Sequence, residues 1–179
     1  YYYNVMLYRD KNGQISANTI IKIMRFFPMK GGSSCYCQTV EHSYLLDKCT
    51  EVLSRLNWVG FADFDILEET ETGALKIIEI NPRVPSSLQA SVAAGVDFAK
   101  IIVADEFGWP IPKYDYHIGR EVRWFGLDVM WFLFSKDRFR FRPSWFKLFS
   151  KNVFYQDGSL KDPFPMIMGC VAGVLKYMR

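Results

Sequence analysis

The sequence predicts an α+β fold: an antiparallel β-sheet with helices packed on one side, followed by an aromatic-rich, mainly helical C-terminal extension. Three observations predict it. Apolar residues alternate with period two in several runs of the first half, two of them joined by a glycine-bearing turn. Stripes with helical period interrupt those runs. The order of strands, one helix, a hairpin and two further helices is that of a segregated sheet rather than of alternating βαβ units.

The elements follow in order. "YYYNVMLYRDKNGQI" reads as a strand, a "DKNG" turn and a returning strand. A third extended run, "TIIKIMRFF", stops at Pro28, and the loop "MKGGSS" leads into more extended chain. From Glu41 to Asn57, Leu45, Cys49, Val52 and Leu56 fall on one stripe with Leu46 and Leu53 beside it, so a helix is expected, with Ser43 at its start. "VGFADFDILEETETGALKIIEINPR" alternates on both sides of its turn, as a β-hairpin does. A short helix is expected after Pro85, capped by Ser86 or Ser87 and ended by Gly95. A second runs from the cap Asp97 to Gly108. Residues 1–108 are read as the main domain and 109–179 as an extension packed on it.

Half of the 179 residues are hydrophobic and 17% are aromatic, which excludes a disordered chain. A net charge of +3 does not point to a nucleic-acid binder. No run approaches the roughly 18 apolar residues of a spanning helix. The chain starts at Tyr1 without a methionine, from which a fragment is expected. Cys35, Cys37, Cys49 and Cys170 lack paired CxxC spacing, so free thiols in a reducing cytoplasm are expected rather than zinc ligands. His42 sits at a helix start and His117 in a loop; either could serve as a base, but a surface or capping role is the simpler reading.

The hairpin carries the chemistry. With its turn centred near Thr72, residues equidistant from Thr72 face each other, so Asp65 opposes Glu79 and Asp63 opposes Asn81. All four share one face, while Ala62, Phe64, Ile66, Ile78 and Ile80 form an apolar face broken by Lys76. Opposed carboxylates repel unless a positive charge stands between them, and a hard divalent cation with oxygen ligands suits the place. Arg83, at the strand exit, suits a phosphate oxygen. The other reading is a solvated acidic face neutralised by Lys76 and Arg83. The loop Lys30–Ser34 could cradle an anion with backbone N–H groups but is not a Walker loop.

At "FDILEETETGALKIIEINPRVPSS" the chain resembles the ATP-grasp superfamily. The motif E-[ILVM]-N-P-R after an acidic strand resembles the carbamoyl-phosphate synthase large subunit. "GFADFDI", "RFFPMKGGSS" and the late "DPFP" look closer to carboxylate–amine ligases of the D-aspartate ligase type. The resemblance spans about Asn4 to Gly108, and more loosely runs on to the C-terminus. It implies an ATP-dependent ligation in which a carboxylate becomes an acylphosphate and an amine or ammonia displaces phosphate. It implies Asp65 and Glu79 as Mg2+ ligands, Asn81 on a second ion (Mn2+ being an alternative metal), Arg83 on the transferring phosphoryl group and Ile77 against adenine. Gly31, Gly32 and Ser33 would lie on a loop facing the acyl phosphate or substrate. Asp63 competes with Asp65 as first ligand. The lysines and adenine-reading strand of the first ATP-grasp subdomain have no counterpart, so this piece is expected to carry one wall of the site, to need the missing N-terminal half of its domain and to be inactive alone. A carbamoyl-phosphate-synthase-like enzyme and a non-catalytic ATP-grasp scaffold remain as alternatives.

The extension is rich in Trp and Phe and strongly basic: Lys136, Arg138, Arg140, Arg142, Lys147 and Lys151 stand against Asp137 alone. Three readings are open: packing onto the core or onto the missing first half of the domain with the cations solvated, a peripheral membrane contact by a cytoplasmic protein, and single-stranded nucleic acid, the last being the weakest.

Overall fold

Burial along the first strands builds the fold: the first is buried on both faces, and the second alternates along its later half. The computed structural model describes residues 1–159 and 161–177. Its elements are β1 (Tyr2–Arg9), β2 (Ile15–Phe27), β3 (Ser33–Thr39), α1 (Ser43–Arg55), β4 (Gly60–Glu68), β5 (Leu75–Asn81), α2 (Leu88–Ala93), α3 (Phe98–Glu106), β6 (Glu121–Arg123), α4 (Phe125–Phe134), β7 (Val153–Tyr155) and α5 (Phe164–Tyr177). The strands form one seven-stranded sheet in the order β5-β4-β1-β2-β3-β6-β7. The β1–β4 and β4–β5 pairs are antiparallel, and β6–β7 is parallel. The α+β class is as expected. The two extended runs expected after the first turn are one strand, β2, thirteen residues long.

Two compact units share β2 and β3: Tyr1–Lys22 with Gln38–Gly119, and Ile23–Cys37 with the chain from Arg120 on. This division differs from a single boundary near residue 108. Residues 23–37 belong with the second unit and 109–119 with the first.

In the first unit, Tyr3, Val5 and Leu7 of β1 join Ala62, Phe64 and Ile66 of β4 under Leu45, Cys49 and Leu53 of α1. Met6 and Tyr8 point to the opposite face. There the Ser91 hydroxyl of α2 lies 3.3 Å from the Met6 sulfur, and Tyr8 donates to Asp105 of α3 at 2.7 Å. The Phe98 ring of α3 meets Phe61 edge-on. Helices therefore cover both faces, not one, because β1 is apolar on both and both must be buried. The cap of α1 is His42, whose ring accepts from the Leu45 amide, rather than Ser43. Asp97 caps α3 as expected. Gly95 (φ +98) and Gly108 (φ +68) take the left-handed conformation that ends α2 and α3.

In the second unit, Phe27, Cys35, Met130 and Trp131 form the core. Arg25 makes a two-pronged ion pair with Asp128 at 2.7 and 2.8 Å, and Arg123 donates to the same carboxylate at 3.1 Å. All three side chains are fully buried. The Arg25 guanidinium lies 4.1 Å from the Tyr36 ring centre and 4.8 Å from that of Trp131, so its charge is met by π-systems as well as by the carboxylate. The expected mainly helical extension is mixed: two helices, two three-residue strands that lengthen the sheet and an irregular stretch between α4 and β7. A Cβ on Gly126 would lie 2.7 Å from the Gly169 carbonyl carbon, so α4 and α5 cross at a pair of glycines.

Candidate functional site

The β4–β5 ladder places Asp65 opposite Glu79 and Asp63 opposite Asn81, the register expected from the turn. Burial grades along this face: Asp63 is 1% exposed and Asn81 8%, Asp65 is half-buried, and Glu79 and Arg83 face solvent. Met6, the β1 partner of Asp63, meets the Ser91 hydroxyl of α2 at 3.3 Å, so α2 covers the sheet beside Asp63.

Asp63 is the most perturbed member of the group. Its Oδ1 is buried without a hydrogen-bond partner. Burial, followed by the charge of Asp65, pushes its pKa up to about 8; Arg83 opposes the shift and Glu79 adds to it. Asp65 is better satisfied. Asn4 of β1, its direct partner in that ladder, donates from Nδ2 to Oδ1, and Asn81 donates to Oδ2 at 3.4 Å. The Tyr2 hydroxyl also bonds Asp65, which together with burial raises the tyrosine pKa. Among the described residues no Lys or Arg forms an ion pair with Asp63, Asp65 or Glu79, and Arg83 pairs with no carboxylate. Nor, among these residues, do three or more His, Cys, Asp or Glu side chains gather closely enough to hold a metal by themselves. The donor set is two facing carboxylates, an amide and a buried third carboxyl oxygen without a partner. That is an all-oxygen set suited to Mg2+, which takes one or two carboxylates and completes its shell with water and phosphate.

The hairpin departs from expectation beyond Asp65. Ile66 pairs with Ile77, Leu67 with Lys76 and Glu68 with Leu75, because a bulge at Ile78 adds a residue to β5. Ile77 therefore leaves the face of Glu79. It lines, with Ile66, Leu75, Tyr44 and Lys48, a cavity of about 420 Å³ beside α1. Lys76 moves the other way, onto the carboxylate face, and pairs with Glu69 at 3.1 Å. Leu67, 43% exposed, is then the apolar side chain that follows Asp65 on that face. Ile78 and Ile80, expected to anchor an apolar face, are exposed on this edge strand. The doubled isoleucine and the misplaced Lys76 are the signals that could have revealed the bulge.

Gly31, Gly32 and Ser33 lie at the turn between β2 and β3 in the second unit, apart in the chain's organisation from the hairpin. Gly31 has φ +105, and a Cβ on Gly32 would come within 2.2 Å of the Phe27 carbonyl, so the turn admits only glycine there. Asn4 and Tyr2 were missed by sequence reasoning. A lone amide in the apolar run "YNVML" was the available sign.

No family model and no curated protein matches the chain. Solved structures do. Biotin carboxylase from Campylobacter jejuni, in complex with β-γ-ATP, aligns with a TM-score of 0.56 at 12% identity, over 67% of this chain and 28% of that one. Pyruvate carboxylase from Rhizobium etli aligns with a TM-score of 0.55 at 14% identity, over 67% of this chain and 12% of that one. N5-carboxyaminoimidazole ribonucleotide synthetase from Thermotoga maritima aligns with a TM-score of 0.51 at 17% identity, over 64% of this chain and 31% of that one. The chain spans about a third or less of the length of these structures. They are ATP-grasp enzymes, and likeness at such identities speaks for the fold. The chain carries the fold of the C-terminal part of an ATP-grasp domain.

Proposed function

We propose that the chain is the metal-bearing part of an ATP- and Mg2+-dependent ligase that joins a carboxylate to an amine or ammonia through an acylphosphate. The observation that carries this is the facing pair Asp65–Glu79, with no cation paired to either carboxylate among the described residues. The fold and the ATP named in the Campylobacter jejuni complex support the nucleotide.

Asp65 and Glu79 would hold Mg2+, with Asn81 on a second ion and Asp63 behind them as a buried carboxyl whose raised pKa favours its protonated form. Bound Mg2+ supplies neutralisation of phosphate charge during phosphoryl transfer. The chain's own residues do the rest. Tyr2 and Asn4 hold the Asp65 carboxylate in one orientation, as outer partners of a ligand do. Arg83, in no ion pair among the described residues, offers a planar guanidinium to phosphate oxygens where charge develops. Leu67 rather than Ile77 provides the apolar contact for the nucleotide, since the bulge at Ile78 removes Ile77 from that face. Gly31, Gly32 and Ser33 remain assigned to substrate or acyl phosphate through their backbone. The small carboxylate and amine are bound with the help of a preceding domain, and the cell compartment is proposed as cytoplasmic.

Titrating the chain with ATP in the presence and absence of Mg2+ tests this. Weak, Mg2+-dependent binding without turnover is expected. Metal-independent binding unaffected by Glu79→Gln contradicts it.

A further inference from the structure

The second unit carries a surface that the ligase reading does not use. The Phe132 ring, half-buried, is a hub: Trp145 lies 4.5 Å from it, and Phe139 and Phe146 each 5.6 Å, centroid to centroid. Phe139 and Phe146 lie near-parallel, 6.4 Å apart, and are 66% and 60% exposed. Leu133, Phe134 and Phe149 are also exposed nearby in sequence. A folded chain leaves so many phenylalanines in water only at a cost, and contiguous apolar patches of this kind mark contact surfaces.

The cations of the same stretch point to the partner. Lys136, Arg138, Arg140, Arg142 and Lys151 form no ion pair among the described residues; only Lys147 does, with Glu121. Arg138 is fixed beside the patch, donating to the Leu133 carbonyl at 2.9 Å with its guanidinium 5.6 Å from the Phe139 ring. Asp137 is the sole acid between Phe132 and Lys151. Exposed phenylalanine rings clustered on one another, with Arg138 beside them and unpaired cations in the same stretch of chain, match the boundary of acyl chains and anionic headgroups. No helix among the described residues is long and apolar enough to cross a membrane, so the contact would be peripheral. Bases stacking on a single strand need separate open rings, whereas these rings cluster on one another.

We propose that Phe139 and Phe146, with Arg138, Arg140 and Arg142, form a docking surface for an anionic lipid bilayer. The proposal stands independently of the ligase reading.

Co-sedimentation of the full chain with vesicles tests it, using phosphatidylcholine alone and phosphatidylcholine with about a third phosphatidylglycerol. Binding to the anionic vesicles at low salt is expected, at least tenfold weaker on the neutral ones and lost as salt is raised. Replacing all three arginines by glutamine should weaken binding about a hundredfold, about fivefold for each charge. Phe139→Ser with Phe146→Ser should weaken it by about tenfold or more with the charge unchanged. Circular dichroism confirms that each variant is folded. Equal binding to both vesicle types, indifference to either set of substitutions, or no sedimentation of the folded chain overturns the proposal. So does tighter binding of a single-stranded oligonucleotide that is lost in the same variants.

Discussion

Asp65 and Glu79 stand directly opposite each other across the β4–β5 ladder, half-buried and exposed respectively, with no cation paired to either among the described residues. Two like charges at this spacing oppose folding in the absence of a counter-ion. Glu79→Gln should therefore leave the metal-free chain unchanged or slightly more stable, by up to about 1 kcal/mol. Asp65→Asn differs, because it also disturbs the bonds from Tyr2, Asn4 and Asn81. Urea titration of both variants without divalent ions checks the contrast.

Asn4 ties β1 to the Asp65 carboxylate. Asn4→Leu keeps the volume but removes the donor, leaving a half-buried charge less satisfied. A loss of about 1–3 kcal/mol is expected, and Mn2+ affinity, read by electron paramagnetic resonance, should fall about tenfold or more. Unchanged affinity contradicts the positioning role.

Asp128 compensates two buried guanidiniums in the second unit. Burial raises its pKa, and Arg25 and Arg123 oppose that shift. Asp128→Ala leaves Arg25 and Arg123 fully buried without their carboxylate, so a destabilisation of about 3–5 kcal/mol is expected by thermal or denaturant unfolding. A loss under about 1 kcal/mol would contradict the packing described.

Cys49, enclosed between α1 and the sheet, has its pKa pushed up to about 12 by burial. The folded chain holds this proton more tightly than the unfolded chain, where a thiol loses it near about 8.5. Its contribution is complete below that value and is lost as pH rises toward 12, the loss reaching about 2 kcal/mol by about pH 10. The melting temperature of Cys49→Ala should fall less steeply above about pH 9 than that of the parent chain. In alkylation, Cys170, which is half-buried, should react before the buried Cys35, Cys37 and Cys49.

Local pattern made the hairpin legible: strict alternation and a single turn fixed Asp65 opposite Glu79. It failed at the next residue of β4, where Ile77 and Ile78 opposite are both apolar and the bulge reverses the faces. The pairing of Asn4 with Asp65 joins strands sixty-one residues apart, and that of Arg25 with Asp128 spans one hundred and three. Neither leaves a periodic trace. The strands β6 and β7, three residues each, are too short to show alternation. Helices on both faces could have been read from β1, which is apolar at even as well as odd positions.

The most direct measurement is the shift in melting temperature of the chain on adding Mg2+ with ATP. A site assembled by Asp65, Glu79 and Asn81 predicts stabilisation of about 2–3 kcal/mol at ligand concentrations about a hundredfold above the dissociation constant, abolished by Glu79→Gln and by Asp65→Asn. A parent chain that melts at the same temperature with and without Mg2+ and ATP, or variants that shift as the parent does, would contradict the account.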